Sequence, residues 1–367
     1  MPLPLIIGAA ALVAGAYGAK KGYDGHKKHS EADDIVKHAK SRYDRKKSEF
    51  DKQQGDTELA LGDLGSLELE IGKSFGEFKT IADSLLIKLN EGKKNKLEVH
   101  VPKHTLQKIE SYSYSAIGVL GSAAGAGAAG VAAGFAVYGG VMALGAASTG
   151  TAISSLAGVA ATNATLAAIG GGSLAAGGLG IAGGTAILGA AVAAPVLAIA
   201  GWAYNSHGEE ALKNAHKADR EVDSAIEKLT KAMRHLGRVQ RYANKVKNTL
   251  SSIYGQFDEY FGNLKEINSF IEDLKGRNVD VDAEIAKRGD AILLTIENGY
   301  ALASILTDVI STPLFKVKEI NGSVVKDSNG VPEMAKDTDG SMILNEGSLE
   351  SAISTAKDSA QAYPGTV

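Results

Sequence analysis

The stretch VDSAIEKLTKAMRHLGRVQRYANKVKNTLSSIYGQFDEYFGNLKEINSFIEDL, residues 222 to 274, carries two interleaved apolar registers with a seven-residue period. One holds Val222, Leu229, Leu236, Ala243, Leu250, Phe257, Leu264 and Ile271. The other, three residues later, holds Ala225, Ala232, Val239, Val246, Ile253, Tyr260, Ile267 and Leu274. Every one of these positions is apolar or Tyr. Residues three and four apart share a helix face, so the repeat specifies a long helix with a single seam that other helices must cover. At 1.5 Å per residue the span is about 80 Å, which suits an elongated bundle or stalk better than a globular core. The expected coiled-coil seam is Val222, Leu229, Leu236, Val239, Val246, Leu250, Ile253, Phe257, Leu264 and Ile271. The repeat alone leaves open whether the seam meets this chain or another copy.

Downstream, a return helix is expected from about Val281 to Ile310. Asp290, Glu297 and Asp308 favour a buried bundle helix over a membrane span, and Pro313 stops it. Residues 314 to 344 read as strand-like and turn-rich, with Asn321-Gly322, Asn329-Gly330 and Asp339-Gly340 as tight turns. A brief polar helix is expected near Ser348–Ala362.

Upstream lies a segment without a single Asp, Glu, Lys or Arg, from Ser111 to Gly208, bracketed by Glu110 and Glu209. Charges occur at ordinary density elsewhere, so the segment is segregated. It must be buried by other parts of the protein or placed in a bilayer. Its residues are mostly Ala and Gly, and Gly121/Gly125, Gly130/Gly134 and Gly180/Gly184 are spaced as G-x-x-x-G, with Ser173/Gly177 a small-residue relative. Small residues at that spacing let helix backbones touch in lipid. An ascending helix from about Tyr114 to Ala147 and a returning helix from about Gly184, with Pro195 a potential kink, form the expected hairpin. Tyr112 and Tyr114 at one end, and Trp202 and Tyr204 at the other, fit an interfacial aromatic belt. Leu, Ile and Phe contribute roughly -0.3 to -0.6 kcal/mol each at a helix centre, whereas exposed Gly costs about 1 kcal/mol relative to Ala. Insertion therefore depends on helix packing, and both a permanent membrane hairpin and a triggered one are physically allowed.

Earlier still, Ala32, Val36, Ala39, Tyr43 and Phe50, then Leu61, Leu64, Ile71, Phe75, Phe78, Ala82, Leu85 and Leu89, recur at helical spacing. Gln54-Gly55-Asp56-Thr57 interrupts the stripe, so either two helices, with Asp56 as an N-cap, or one long helix satisfies it. Leu97 to Val101 alternates like a short strand. The amino-terminal run Leu3 to Ala19 is apolar and followed by Lys20, Lys21, Lys27 and Lys28. It reads as a short anchor with a cytoplasmic basic flank, although Ala14-Gly15-Ala16 also fits a signal-cleavage pattern.

The chain has 367 residues, a formal charge of -3, 44 glycines, one Trp and no Cys. The charge gives no global pull toward nucleic acid, and no nucleic-acid partner is expected. The absence of Cys excludes disulfides, thiolate metal sites and cysteine nucleophiles. Lys228, Lys231, Arg234, Arg238, Arg241, Lys245 and Lys247 form a basic stretch that serves either a phosphate-bearing surface or a solvated helix face. Gly72-Lys73-Ser74 lacks the upstream glycine of a phosphate loop, because Leu67 stands there. Asp327-Ser328-Asn329-Gly330 and Asp337-Thr338-Asp339-Gly340 lack the spaced acids of a calcium loop. His26/His29 and His100/His104 have no third ligand. No catalytic residue, cofactor or metal is expected.

The organisation expected is an amino-terminal anchor at 1–22, a helical bundle segment at 23–110 and the Gly/Ala-rich membrane hairpin at 111–208. The heptad and return helices follow at 209–312, then a small strand and turn region at 313–367. The fold class is all-α. A long Gly/Ala hairpin between heptad-bearing helices resembles the α-helical pore-forming toxins, in which a helical bundle hides a hydrophobic head and releases it on assembly. The resemblance covers residues 30 to 310 at the level of architecture. The chain departs from that family in its longer charge-free segment and its amino-terminal apolar run. The run Gly170-Gly171-Gly172-Ser173-Leu174-Ala175-Ala176-Gly177-Gly178 is also similar to bacterial membrane-hairpin proteins, some linked to dynamin-like GTPases in defence systems. These features point to a non-enzymatic protein that inserts into a bilayer, forms homo-oligomers and permeabilises it. The competing reading is a membrane tether whose heptad helix recruits a cytosolic partner, such as a dynamin-like GTPase. The expected location is a bacterial inner membrane, or a soluble form that inserts into a target membrane.

Overall fold

The computed structural model describes residues 19–90, 99–122, 132–137, 208–276, 281–325, 332–338 and 341–364. The amino-terminal run before Ala19, Leu97 and Glu98 of the expected strand, and most of the hairpin lie outside these residues. So do the turns Asn329-Gly330 and Asp339-Gly340. The described chain is mainly helical: α1 (Ala19–Asn90), α2 (Lys103–Ser122), α3 (Gly208–Gly276), α4 (Val281–Ile310) and α5 (Glu346–Ala360), with a further helical turn at 132–137. The only sheet among the described residues is the two-stranded β1 (Glu319–Ile320) and β2 (Ser323–Val324). α1 runs for 72 residues straight through Gln54-Gly55-Asp56-Thr57. Its apolar stripe resumes on the far side in the same phase, and one helical glycine costs only about 1 kcal/mol. Asp56 therefore starts no new helix. Val99 and His100 are not in a strand.

The chain divides into two compact units, residues 1–54 with 189–235, and residues 55–188 with 236–367. In the first, Ala32, Ala39, Tyr43 and Phe50 of α1 are buried, as are Ala211, Ala215, Val222, Ala225 and Leu229 of α3. Ala32 clusters with Ala211 and Ala215, and Ile35, Val36 and Leu212 close over them. Further along α1, Arg42 reaches Asp223 at 2.6 Å and also bonds Asp219. Both residue numbers rise together, so the two helices run parallel. A sequence seam cannot encode that direction.

The same direction holds in the second unit. Thr57 Oγ1 donates to the Leu236 carbonyl, Lys247 pairs with Asp63 at 2.7 Å, Ser74 Oγ meets Tyr254 Oη at 2.8 Å, and Lys88 pairs with Glu272 at 2.8 Å. Between these helices lies an aromatic core. Phe257 packs on Phe75 and Phe78 with ring centroids 5.4 and 5.3 Å away, and Phe78 meets Tyr300 edge-on at 5.1 Å. The ten expected seam residues of α3 are all buried, while Ala232 and Ile267 of the full repeat are half-buried.

α4 has the expected bounds. Its stretch Lys287–Ile310 is the one helix among the described residues long and apolar enough to cross a membrane, and 50% of that apolar window is buried in the protein. Ile292, Ile296, Leu302, Leu306 and Val309 are covered, and Glu297 accepts hydrogen bonds from the backbone and ring nitrogens of His100 at 2.9 and 2.8 Å. Beyond Pro313 the chain forms isolated bridges, Phe315 to Leu344, Val317 to Met334 and Lys336 to Met342, which bury Phe315, Met334, Met342 and Leu344. Asn321 and Gly322 both take positive φ, 52° and 76°, in the turn joining β1 to β2. Two-residue hairpins require that conformation because it matches the strand twist. α5 then covers the core with Leu349, Ile353, Ala356 and Ala360 at helical spacing.

Candidate membrane-inserting segment and its seat

The charge-free segment begins inside α2, and its first turns are seated on α1. Gly72 and Gly76 of α1 make the seat. A Cβ on Gly72 would lie 2.4 Å from the Ala116 Cβ, and one on Gly76 would lie 2.7 Å from Ser113 Oγ. Rising numbers on α1 meet falling numbers on α2, so α2 runs antiparallel to it. Closer to the start of α1, a Cβ on Gly65 would fall 1.8 Å from the Ala132 carbonyl oxygen. The turn 132–137 therefore lies backbone against backbone on α1. Small residues permit this approach, as they do between membrane helices. The glycines that make it stand on the charged helix, outside the segment where the sequence pattern placed them.

Tyr112, Ser113, Ala116 and Val119 are buried on this face, together with Ala132 and Phe135. Tyr112, grouped by sequence with the interfacial aromatics, sits wholly within the protein. Its hydroxyl donates to the Glu68 carbonyl at 2.8 Å, and its ring packs near Phe75 and Phe135 with centroids 6.2 and 6.0 Å away. The opposite face of α2 is open. Tyr114, Ile117 and Leu120 are 57%, 48% and 40% exposed, at three-residue spacing and with no charge among them. α2 thus carries no charge on either face from Ser111 onward.

The other expected packing residues separate. Gly121 lies on α2, where an added Cβ would meet none of the described residues within 4 Å, and Gly134 is half-buried in the 132–137 turn. Gly125, Gly130, Ser173, Gly177, Gly180 and Gly184, and the belt residues Trp202 and Tyr204, lie outside the described residues.

Glu68 is the residue the sequence did not reveal. It occupies a seam position of α1 where the apolar stripe skips, between Leu64 and Ile71. Its side chain is buried, and Oε2 has no hydrogen-bond partner among the described residues. Ala136 and Val137 of the charge-free segment wall it in together with Val246, Val309 and Leu349. Burial pushes its carboxyl well above the usual range, because the charged form has lost its water. The skipped heptad position was the available signal.

The basic stretch of α3 is largely engaged within the chain. Lys231 pairs with Glu227, Arg238 with Glu346, Lys245 with Glu350 and Lys247 with Asp63. Gly72-Lys73-Ser74 lies in mid-helix, where Lys73 pairs with Glu77 at 3.7 Å. Among the described residues no three His, Asp or Glu side chains converge as a metal site. No protein-family model, curated protein or solved structure matches the chain.

Proposed function

We infer that this chain is a non-enzymatic, membrane-inserting helical protein whose charge-free segment enters a bilayer, associates with other copies through small-residue contacts and permeabilises it. The observation that carries this reading is that α2 from Ser111 onward carries no charge on either face. One face is seated on α1 glycines, and the other presents Tyr114, Ile117 and Leu120 without any charge. A water-exposed helix ordinarily sets charges opposite its buried face.

The parallel pairing in the first unit adds topological support. Ala32 of α1 packs beside Ala211 and Ala215 of α3, so the two helices begin at one end. The apolar run before α1 and the charge-free segment before α3 therefore both join that unit at the same end. One bilayer face serves both, whether in a bacterial inner membrane or in a target membrane reached by a soluble form. The α3 seam then packs within the chain, and the bilayer itself is the principal partner.

Dye release from liposomes tests the reading. Leakage should rise more steeply than linearly with the ratio of protein to lipid, because oligomers form the pathway. Membrane binding without leakage at any density would assign the chain to tethering instead.

A further inference from the structure

We propose that Glu68 is a proton-sensitive latch: its neutral carboxyl holds the 132–137 turn of the charge-free segment seated on α1, and its ionisation expels that turn. This rests on the membrane-inserting reading and gives it a trigger. Four observations converge. Glu68 is only 4% exposed, and its Oε2 has no partner among the described residues. The adjoining cavity is about 10 Å³, the lower limit for a single water. Its walls include Ala136 and Val137, so departure of that segment would open one side of the cavity to water. Finally, Gly65, one helical turn before Glu68, holds that segment by direct backbone contact.

Among the described residues no compensating cation faces the carboxyl. From α2 the titratable group is Tyr112, whose hydroxyl is committed to the Glu68 backbone carbonyl. The 132–137 turn supplies none. On α3 and α5 the charges flanking Val246 and Leu349 are taken up by Lys245–Glu350 and Lys247–Asp63, and on α4 Asp308 faces Lys108 at 3.5 Å. The ionised form of Glu68 therefore gains nothing in the seat and regains hydration when the seat opens.

The direction of the effect follows from linkage. The carboxyl binds its proton more tightly seated than released. Below the ordinary Glu value of about 4.3 both states are protonated, and the seat has its full strength. As pH rises above that value the released state ionises first, and the ratio of seated to released falls by up to about tenfold per pH unit until the raised seated value is passed. The segment is thus stowed in acid and freed toward neutral and alkaline pH, opposite to an acid-triggered inserter.

The chain has no Cys, so spin labels on Lys73→Cys and Ala133→Cys in the full-length protein report one distance by pulsed electron resonance. The expected result is one short distance at about pH 4 and a growing long-distance population up to about pH 9, the window above the ordinary Glu value. Glu68→Gln should hold the short distance at every pH, and Glu68→Leu should do the same if an unpaired amide unfolds the first variant. A pH-independent distance in the unsubstituted background would overturn the latch, as would undiminished pH dependence in a folded Glu68 variant. Liposome leakage measured in parallel separates the two claims. Movement without leakage keeps the latch and removes the pore, whereas leakage with a fixed distance removes the latch alone.

Discussion

Replacing Gly65 by Ala should loosen the 132–137 turn of the charge-free segment, although Ala is the better helix former. The new methyl would stand 1.8 Å from the Ala132 carbonyl oxygen, and ordinary contact begins near 3.4 Å. The 132–137 turn must therefore back away by about 1.6 Å, the difference between those distances. The obstacle is backbone, with no rotamer to yield, so the penalty belongs near the upper end of the roughly 1–3 kcal/mol typical of overpacking. Helix propensity returns about 1 kcal/mol, leaving a net loss of about 2 kcal/mol.

The control is Gly255→Ala on α3, where a Cβ meets nothing within 4 Å. It should stabilise the protein by up to about 1 kcal/mol. Denaturant midpoints of the two variants should shift in opposite directions, and hydrogen exchange at 132–137 should accelerate only in Gly65→Ala. Equal shifts of the same sign would refute the close helix contact. Gly76→Ala should be the milder neighbour, because its obstacles are the Ser113 hydroxyl and the Ile117 Cδ1, both at side-chain ends.

Three further variants probe other parts of the account. Gly299→Ala should destabilise by about 1–3 kcal/mol in thermal or denaturant unfolding, since its Cβ would lie 2.4 Å from a Phe78 ring held by Phe257 and Tyr300. Tyr112→Phe removes the hydrogen bond to the Glu68 carbonyl and should lower stability by about 1 kcal/mol; an unchanged denaturant midpoint would deny that bond any role. Gly125→Leu with Gly134→Leu should weaken oligomers in membranes, read by cross-linking, and unchanged assembly would count against small-residue association.

The helical content of the chain could be read from spacing alone. The α1 stripe from Ala32 to Leu89 and the α3 registers from Val222 to Leu274 are largely buried, and α4 ends before Pro313 as its proline dictates. The Asn321-Gly322 turn was legible because positive φ has few tolerant residues. The parallel direction of α1 and α3 was not legible, because a heptad seam looks the same whichever way its partner runs. Gln54-Gly55 misleads in the other direction: the glycine suggests a break, yet the stripe on both sides carries the helix through it. Of the seat, Gly72 and Gly76 form a G-x-x-x-G pair on a charged helix, where such spacing is easily discounted beside a Gly-rich segment. Glu68 was hidden because an isolated acid in an amphipathic helix ordinarily faces water.

The measurement that bears most directly on the central claim uses Trp202, the single tryptophan of the chain, which lies within the charge-free segment. Its fluorescence should shift to shorter wavelength when protein meets liposomes, and lipids brominated on their acyl chains should quench it. Emission that stays unshifted and unquenched in protein shown to be bound to those liposomes would contradict lipid contact by this segment.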